Sequence, residues 1–259
     1  MVKLAIPISQ FFNDPQFIRA VDGHDFCYEG REEASHIKGL KEFLLHFDRD
    51  IIHPWLEEDK KAISSVFLFK KDLKLVTFHM SSSYSRPKLK DNVYYPGGEE
   101  FSQQQMLDYA KKNICWLKKV TAGRDIDIAV ENNNYYSTLA YRHITDADFI
   151  NGLVKDNGIY FLFDISHAKV TAFNKKISYQ KYKTELPMDR MIQVHVSREA
   201  FNGKGWAYDA HELPDAQMFD EVKEFTQAYP SLRYITIEYY KNRENLIQIL
   251  GQYGQLCTK

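Results

Sequence analysis

The chain has 259 residues, of which 44% are hydrophobic and 14% aromatic, which is enough apolar material for one sizeable buried core. Its 34 Lys and Arg residues are balanced by 35 Asp and Glu residues, and the resulting net charge of −1 provides no overall field that would attract nucleic acid or an anionic membrane. Three scattered cysteines argue against a disulfide framework and favour a cytoplasmic location. No stretch approaches the roughly 20 apolar residues of a membrane span, and the N-terminal apolar run is too short for a signal peptide.

Short runs rich in β-branched and aromatic residues recur along the chain and predict the strands of a parallel sheet. In chain order, the predicted strands span residues 3–9, 25–29, 50–53, 73–80, 125–131, 160–165, 191–196 and 234–238. The last five are apolar on both faces of the pleat, as strands covered on both sides must be. Pro7 weakens the first prediction, because proline cannot donate a hydrogen bond in a central strand.

Segments with helical periodicity fill the intervals between these strands. They are predicted at residues 32–47 and 56–70 and after the candidate N-cap residues Ser102, Thr145, Asp215 and Asn242. Ser102 and Thr145 each begin a capping-box pattern. Eight strand–helix units in a chain of this length predict an α/β fold, a (β/α)8 TIM barrel that forms a single domain over residues 1–259. An open doubly wound sheet is the alternative architecture.

A long polar and aromatic segment, residues 81–101, follows the fourth predicted strand. Loops of this length are more often functional than not. Tyr84 and Arg86 in this segment are candidate substrate-binding residues, with a solvated lid as the competing interpretation. Arg198 and Trp206, in the loop after the seventh strand, are two further candidates, with structural packing as the alternative.

Imidazole and carboxylate side chains occur at or just after the ends of six predicted strands. They are His53, His79, Glu131, Asp164, His167, His195, Asp209, His211 and Glu238. A single histidine at a strand end is usually a hydrogen-bonded structural residue, but in a TIM barrel all of these positions meet at the C-terminal rim. Charged groups that converge in an apolar setting must be paired or bound to metal. The pattern therefore predicts a metal centre at this rim.

The predicted ligand set contains five histidines and four carboxylates and no obvious thiolate. Such ligands suit zinc, iron or manganese and argue against an iron–sulfur cluster. Nine ligands are too many for one ion, so two or three ions bridged by carboxylates are expected. The other four histidines, His24, His36, His46 and His143, are interpreted as surface or capping residues.

The order and the surroundings of these ligands resemble the xylose-isomerase-like TIM barrels. The order resembles the trinuclear zinc set of the endonuclease IV family and, equally, the ligand set of the multinuclear non-haem iron-dependent oxidases of the methanobactin biosynthesis type. The segments VENNNYY (130–136), FDISHAKVTAFN (163–174), ELPMDRMIQVHVS (185–197), YDAHELPD (208–215) and ITIEYYK (235–241) are similar to the oxidase family. The resemblance is specific from Glu131 to Lys241 and loose before residue 73.

The oxidase resemblance implies iron ions that activate dioxygen to modify a ribosomally made precursor peptide, often at cysteine. It also implies a separate partner protein that presents the peptide. Carried over residue by residue, the resemblance assigns three ion positions: Glu131, Asp164, His195 and Glu238; His167, Asp209 and His211; and His53 and His79, with Glu131 bridging. The segment around His53 departs from the family pattern, which leaves a dinuclear centre open. Cys27 and Glu29, at the end of the second predicted strand, are possible additional contributors.

Three other functions compete with the oxidase interpretation. An endonuclease IV-like zinc phosphodiesterase needs the same metals and also a basic surface for DNA, which the balanced charge disfavours. A sugar isomerase or epimerase of the same superfamily normally requires fewer ligands. A non-catalytic metal-binding module predicts coordinatively closed sites.

Overall fold

The computed structural model describes residues 1–22, 24–32, 40, 42–203 and 205–257. The strands in this part of the chain are β1 (Lys3–Pro7), β2 (Cys27–Arg31), β3 (Glu42–Asp50), β4 (Leu75–His79), β5 (Lys88–Lys90), β6 (Val93–Tyr95), β7 (Asp127–Glu131), β8 (Tyr160–Asp164), β9 (Met191–Val196), β10 (Arg198–Phe201), β11 (Ala207–Glu212) and β12 (Tyr234–Ile237). Eight of them close into a parallel barrel in the order β1, β12, β9, β8, β7, β4, β3, β2. The pairs β5–β6 and β10–β11 form two antiparallel hairpins outside the barrel.

Helices follow most of the barrel strands. They are α1 (Pro15–Val21), α2 (Glu57–Phe69), α3 (Gln103–Val120), α4 (Ala147–Asp156), α5 (Ile165–Lys175), α6 (Tyr179–Glu185), α7 (Ala216–Ala228) and α8 (Arg243–Gly254). The closed barrel with its helices confirms the predicted α/β fold, a (β/α)8 TIM barrel. Among the described helices, none combines the length and the apolar character that crossing a membrane requires.

The predicted N-caps Ser102, Asp215 and Asn242 are confirmed, since each side chain accepts a backbone N–H of the first helical turn. The capping box at Thr145 is wrong. The N-cap of α4 is Asp146, whose side chain makes no capping hydrogen bond, and Thr145 is buried.

The third strand differs most from the sequence prediction. The helix predicted at 32–47 is wrong over its C-terminal part, because residues 42–50 form β3; residues 33–39 and 41 lie outside the described residues. The strand predicted at 50–53 is also wrong, since only Asp50 belongs to a strand and the chain then turns. β3 is covered on both faces, so its sequence lacks the alternation that marks a half-buried strand.

Side chains two residues apart along each barrel strand face the same side. On β4, Leu75 belongs to an apolar cluster, Thr77 donates to Gln193, and His79 contacts Glu131. The barrel interior is therefore apolar at its N-terminal end, polar in the middle and ionisable at its C-terminal end. This last layer positions the candidate site.

Candidate metal centre

Imidazole and carboxylate groups from β2, β3, β4, β7, β8 and β9 meet in the C-terminal half of the barrel. Three groups place their ligand atoms within 4.8 Å of one another: Glu29, His46 and His195; His46, His79 and Glu131; and Glu131, Asp164 and His195. All these side chains except that of His79 are buried. Because the groups share members, they form one continuous cluster rather than separate sites.

Glu131, at the end of β7, lies at the centre of the cluster. Its Oε2 atom is 3.3 Å from Nε2 of His46 and 3.1 Å from Nδ1 of His79. Its Oε1 atom is 3.3 Å from Nδ1 of His195. Each carboxylate oxygen thus faces different imidazoles, an arrangement suited to bridging two ions.

The second part of the cluster surrounds His195. Nδ1 of His195 lies 3.3 Å from Oε2 of Glu238 and 4.0 Å from Oδ2 of Asp164. Both Nδ1 of His195 and Oδ2 of Asp164 are buried, and neither has a hydrogen-bond partner within the described part of the chain. Buried polar atoms without partners are rare, and a metal ion bound between these atoms would satisfy both.

The third part involves the start of α5 and the hairpin β10–β11. Nδ1 of His167 lies 2.8 Å from the carbonyl oxygen of Asn132, which leaves Nε2 facing Oδ2 of Asp209 at 3.5 Å. Nε2 of His211 is 3.3 Å from the same Asp209 oxygen and 3.7 Å from Oε2 of Glu238. The junction of β8 and α5 and the hairpin β10–β11 therefore bring together the Asp-x-x-His pair, Asp164 and His167, and the Asp-x-His pair, Asp209 and His211.

Burial and neighbouring charges set the ionisation of the carboxylates. Burial raises the pKa of Glu131, but its interactions with His46 and His167 and its hydrogen bonds with His195 and His46 outweigh burial and hold that pKa well below its usual range. Burial also raises the pKa of Glu238, and the charges of His195 and Arg31 hold it well below its usual range. These two carboxylates are therefore ionised and available as ligands at neutral pH.

Asp164 behaves differently, although it lies in the same cluster. Burial raises its pKa to about 7 against the opposing charge of His167, and the negative charges of Glu131 and Asp209 add to the rise. A carboxylate with this pKa remains largely protonated below pH 7 until a cation approaches.

The histidines divide into two classes. Burial lowers the pKa of His46 to about 4, and the charges of Arg31 and His79 contribute to this shift. Burial also disfavours the charged form of His195, but Glu238 and Glu29 raise its pKa well above the usual range. His46 is a neutral imidazole at neutral pH, whereas His195 must release a proton before it binds a metal.

The structure brings together eight of the nine predicted ligands, all except His53. Nε2 of His53 lies 2.7 Å from the carbonyl oxygen of Ser82, and Nδ1 lies 3.7 Å from Asp50; none of its described contacts is with a cluster residue. Its predicted place on the third strand is taken by His46, which the sequence analysis assigned to the surface. That assignment of His46 is wrong, because the residue is 1% exposed.

Two residues of β2 complete the surroundings of the cluster. Glu29 was noted as a possible contributor and lies 3.2 Å from Nε2 of His195 through its Oε2 atom. Arg31 was missed; its guanidinium pairs with Glu238 and supplies a fixed positive charge beside the carboxylates. The alternation of Cys27, Glu29 and Arg31 along one strand was the available signal for it.

The four candidate substrate-binding residues lie outside the cluster. Tyr84 is buried and its hydroxyl donates to Glu100 at 3.1 Å. Arg86 is exposed in the segment before the hairpin β5–β6, and Arg198 is exposed at the start of β10. Trp206 is partly buried at the turn between β10 and β11. Both hairpins follow the C-terminal ends of barrel strands, β4 and β9, which is the side where the cluster lies.

Several curated proteins are similar in sequence to part of this chain. A UPF0276 protein from Caulobacter vibrioides is 24% identical over 134 residues, which cover 49% of this chain and 47% of the relative. The alignment thus spans about half the length of the curated relatives.

Two solved structures share the fold over nearly their whole length. The 3-keto-D-glucoside 4-epimerase from E. coli has a TM-score of 0.62 at 14% identity and covers 100% of both chains. The IolI protein, crystallised with a zinc atom, has a TM-score of 0.60 at 10% identity and covers 98% of this chain and 96% of its own. At these identities the likeness concerns the fold alone.

A family model gives the most specific similarity. The model described as "RiPP precursor modification enzyme MbnB/TglH/ChrH" matches residues 74–247, which is more than half of the chain. The match includes every predicted ligand except His53 and confirms the family resemblance inferred from the sequence segments. The chain therefore belongs to the MbnB/TglH/ChrH family of RiPP precursor modification enzymes.

Proposed function

We propose that this protein is a multinuclear metal-dependent oxidative enzyme that uses dioxygen to modify a ribosomally made peptide. The observation that carries the proposal is the pair of buried, unpartnered atoms Nδ1 of His195 and Oδ2 of Asp164 among the described residues, 4.0 Å apart within a cluster of ionisable groups. Such atoms suit a metal ion, and the family to which the chain belongs modifies precursor peptides.

We infer three neighbouring ion positions in the cluster, two of which share the carboxylate of Glu131. One would be held by His46, His79 and Glu131; a second by Glu131, Asp164, His195 and Glu238; and a third by His167, Asp209 and His211. In this proposal His46 replaces His53 as the ligand from the third strand. Glu131 would bridge the first two positions.

The charge of the site favours at least two divalent ions. Five carboxylates lie in or directly beneath the cluster: Glu29, Glu131, Asp164, Asp209 and Glu238. Arg31 neutralises one of these charges, which leaves four negative charges for two divalent cations. A third ion would require a further anion, and a thiolate of the peptide substrate is one group that could supply it.

The ligand atoms indicate which metals fit. Imidazole and carboxylate ligands without a thiolate suit iron, zinc or manganese, and among these we propose iron. Iron in this centre would supply the electrons that reduce dioxygen. The protein side chains would hold the ions, exclude bulk water in the buried half of the cluster, and accept the protons released when the ions bind.

The peptide would reach the centre from the open C-terminal end of the barrel. The hairpins β5–β6 and β10–β11 follow β4 and β9 on this side. Exposed Arg198 and partly buried Trp206 belong to the second hairpin, and exposed Arg86 precedes the first. We propose that these residues contact the precursor peptide and that a separate protein presents it. We further propose that residues 1–259 form one domain and that it acts in the cytoplasm.

Metal analysis of anaerobically purified protein, together with its optical spectrum, tests this proposal. Two or three iron ions per chain and oxygen consumption that depends on a precursor peptide are the expected results. His195→Ala should lose metal while its circular dichroism spectrum is retained, and His24→Ala, which alters an exposed histidine outside the cluster, should retain the metal.

Two results would overturn the oxidase proposal. Two or three zinc ions without iron, together with nicking of DNA at abasic sites, would indicate a phosphodiesterase. Unchanged metal content in His195→Ala would refute the site itself.

A further inference from the structure

A fully buried polar layer lies inside the barrel directly beneath the metal centre. Glu29, Thr77, Gln193 and Thr236 form this layer, and each is at most 2% exposed. Such groups are costly to bury unless each hydrogen-bonding atom has a partner. The interior of a TIM barrel is filled mainly by apolar side chains. The polar side chains of this layer therefore indicate a function beyond packing.

The hydrogen bonds to Oε2 of Glu29 fix the proton position on His195. Nε2 of Gln193 donates to this oxygen at 2.5 Å and to Oγ1 of Thr236 at 2.8 Å, so both of its hydrogens are used. The hydroxyl of Thr236 donates to the same Glu29 oxygen at 3.0 Å. Nε2 of His195 lies 3.2 Å from the same Glu29 oxygen and 3.1 Å from Nε2 of Gln193. With both Gln193 hydrogens directed at Glu29 and Thr236, we assign the His195 proton to Nε2, which then donates to Glu29.

The other oxygen of Glu29 faces a second ligand histidine. Oε1 lies 3.9 Å from Nδ1 of His46. Both atoms are buried, and neither has a hydrogen-bond partner within the described ranges. A small shift of either side chain, or one water molecule, joins them. In each histidine it is the opposite ring nitrogen that faces Glu131.

We propose that Glu29 is a positioning residue that orients two metal-ligating histidines at once. Its two oxygens accept the outer N–H groups of His195 and His46 and so keep Nδ1 of His195 and Nε2 of His46 unprotonated and aimed at the ions. Ligating histidines usually donate their second N–H to a carboxylate or carbonyl, which fixes the tautomer. One carboxylate would thus orient His195 on β9 and His46 on β3, which belong to two different proposed ion positions. This role rests on the proposed metal centre.

The substitution Glu29→Gln separates this role from simple packing. Glutamine keeps the size of the side chain but offers one acceptor oxygen, so one of the two histidines must face an N–H donor and adopt the wrong tautomer. Thr77→Val is the matched control, because it alters the same buried layer at a hydroxyl that hydrogen-bonds to Gln193 and not to a histidine. Zinc is the probe, since it is diamagnetic and needs no redox control.

Titration of the metal-free proteins with zinc should show affinity in Glu29→Gln that is about 10–100-fold weaker than in the wild type for at least one ion. The number of ions at saturation and the affinity of Thr77→Val should be unchanged. Wild-type affinity in Glu29→Gln would overturn the positioning role while leaving the metal centre intact. One ion fewer at saturating zinc would also overturn it, since Glu29 would then be a ligand itself. A wild-type protein that binds no metal would instead refute the proposed function on which this role depends.

Long-range ¹H–¹⁵N correlation spectra of the zinc-loaded wild-type protein provide a test that needs no variant. His195 should carry its hydrogen on Nε2 and His46 on Nδ1. The opposite tautomer in either histidine would overturn the proposal even if Glu29→Gln does not fold.

Discussion

Replacement of Asp164 by Asn should stabilise the metal-free protein at pH 8 and weaken its metal binding. The carboxyl group is completely buried, and burial raises its pKa from 3.8 to about 7 despite the charge of His167. Oδ1 of Asp164 accepts the backbone N–H of His167 at 2.7 Å, and the amide oxygen of Asn can keep this bond. The substitution therefore removes mainly the charge.

The magnitude follows from the difference between the two pKa values. A carboxyl whose pKa is higher in the folded state stabilises the fold fully below the unfolded value, 3.8, and this contribution is lost as the pH rises to about 7. A rise of about three pH units corresponds to about 4 kcal/mol. Asn resembles the protonated form at every pH, so the variant should gain at most about 4 kcal/mol above pH 7. For a chain of this size, this gain raises Tm by about 10 °C.

Thermal unfolding in the presence of a chelator, at pH 4.5 and pH 8, measures this effect. The variant should exceed the wild type by several degrees at pH 8 and by little at pH 4.5. Added zinc should reverse the order, because only the wild type presents a carboxylate to the ion. An equal difference at both pH values, or no gain at pH 8, would refute the assignment of a raised pKa to Asp164.

Three further predictions concern the ligands and their support. His46→Ala should lower the number of bound ions by one, whereas His53→Ala should leave it unchanged; elemental analysis distinguishes the two, and the reverse pattern would restore His53 as the ligand. Asn113→Ala should lower the free energy of unfolding by about 2–3 kcal/mol in chemical denaturation, because the buried Asn113 amide donates to two carbonyls of the turn after β3, with the metal content retained. Metal binding at pH 7 should release protons, since His195 and His167 have raised pKa values. Calorimetric titration in buffers of different ionisation enthalpy measures this release, and a binding heat that does not depend on the buffer would contradict those protonation states.

The sequence predicted the barrel well because its later strands carry strong local signals. Residues 160–165 and 191–196 are apolar on both faces and bounded by polar turns, and the structure places β8 and β9 there with small changes at the ends. The caps Ser102 and Asp215 fixed two helix starts through side-chain hydrogen bonds that act within one turn. Local interactions of this kind can be seen in sequence.

The first half of the site could not be predicted in the same way. β3 ends with three charged residues, exposed Asp48 and partly buried Arg49 and Asp50. Its apolar residues are spaced like one face of a helix, so the pattern indicated a helix and placed His46 on the surface. His46 is buried because β3 pairs with β2 and β4. Pairing between separate strands cannot be detected from the periodicity of one segment. Because the third strand was predicted at residues 50–53 instead of 42–50, the predicted ligand was His53 instead of His46.

The protonation states of the metal-free cluster explain how one buried pocket can remain folded with and without ions. The carboxylates of Glu131 and Glu238 are ionised in either state, and without metal the protons on His195 and His167 balance them. Two divalent ions would bring four positive charges and displace the protons of His195, His167, His211 and Asp164, so the pocket keeps nearly the same charge. His46 is already neutral because burial and the charge of Arg31 lower its pKa. The position formed by His46, His79 and Glu131 can therefore accept an ion without prior deprotonation of His46, whereas an ion at His195 must displace a proton.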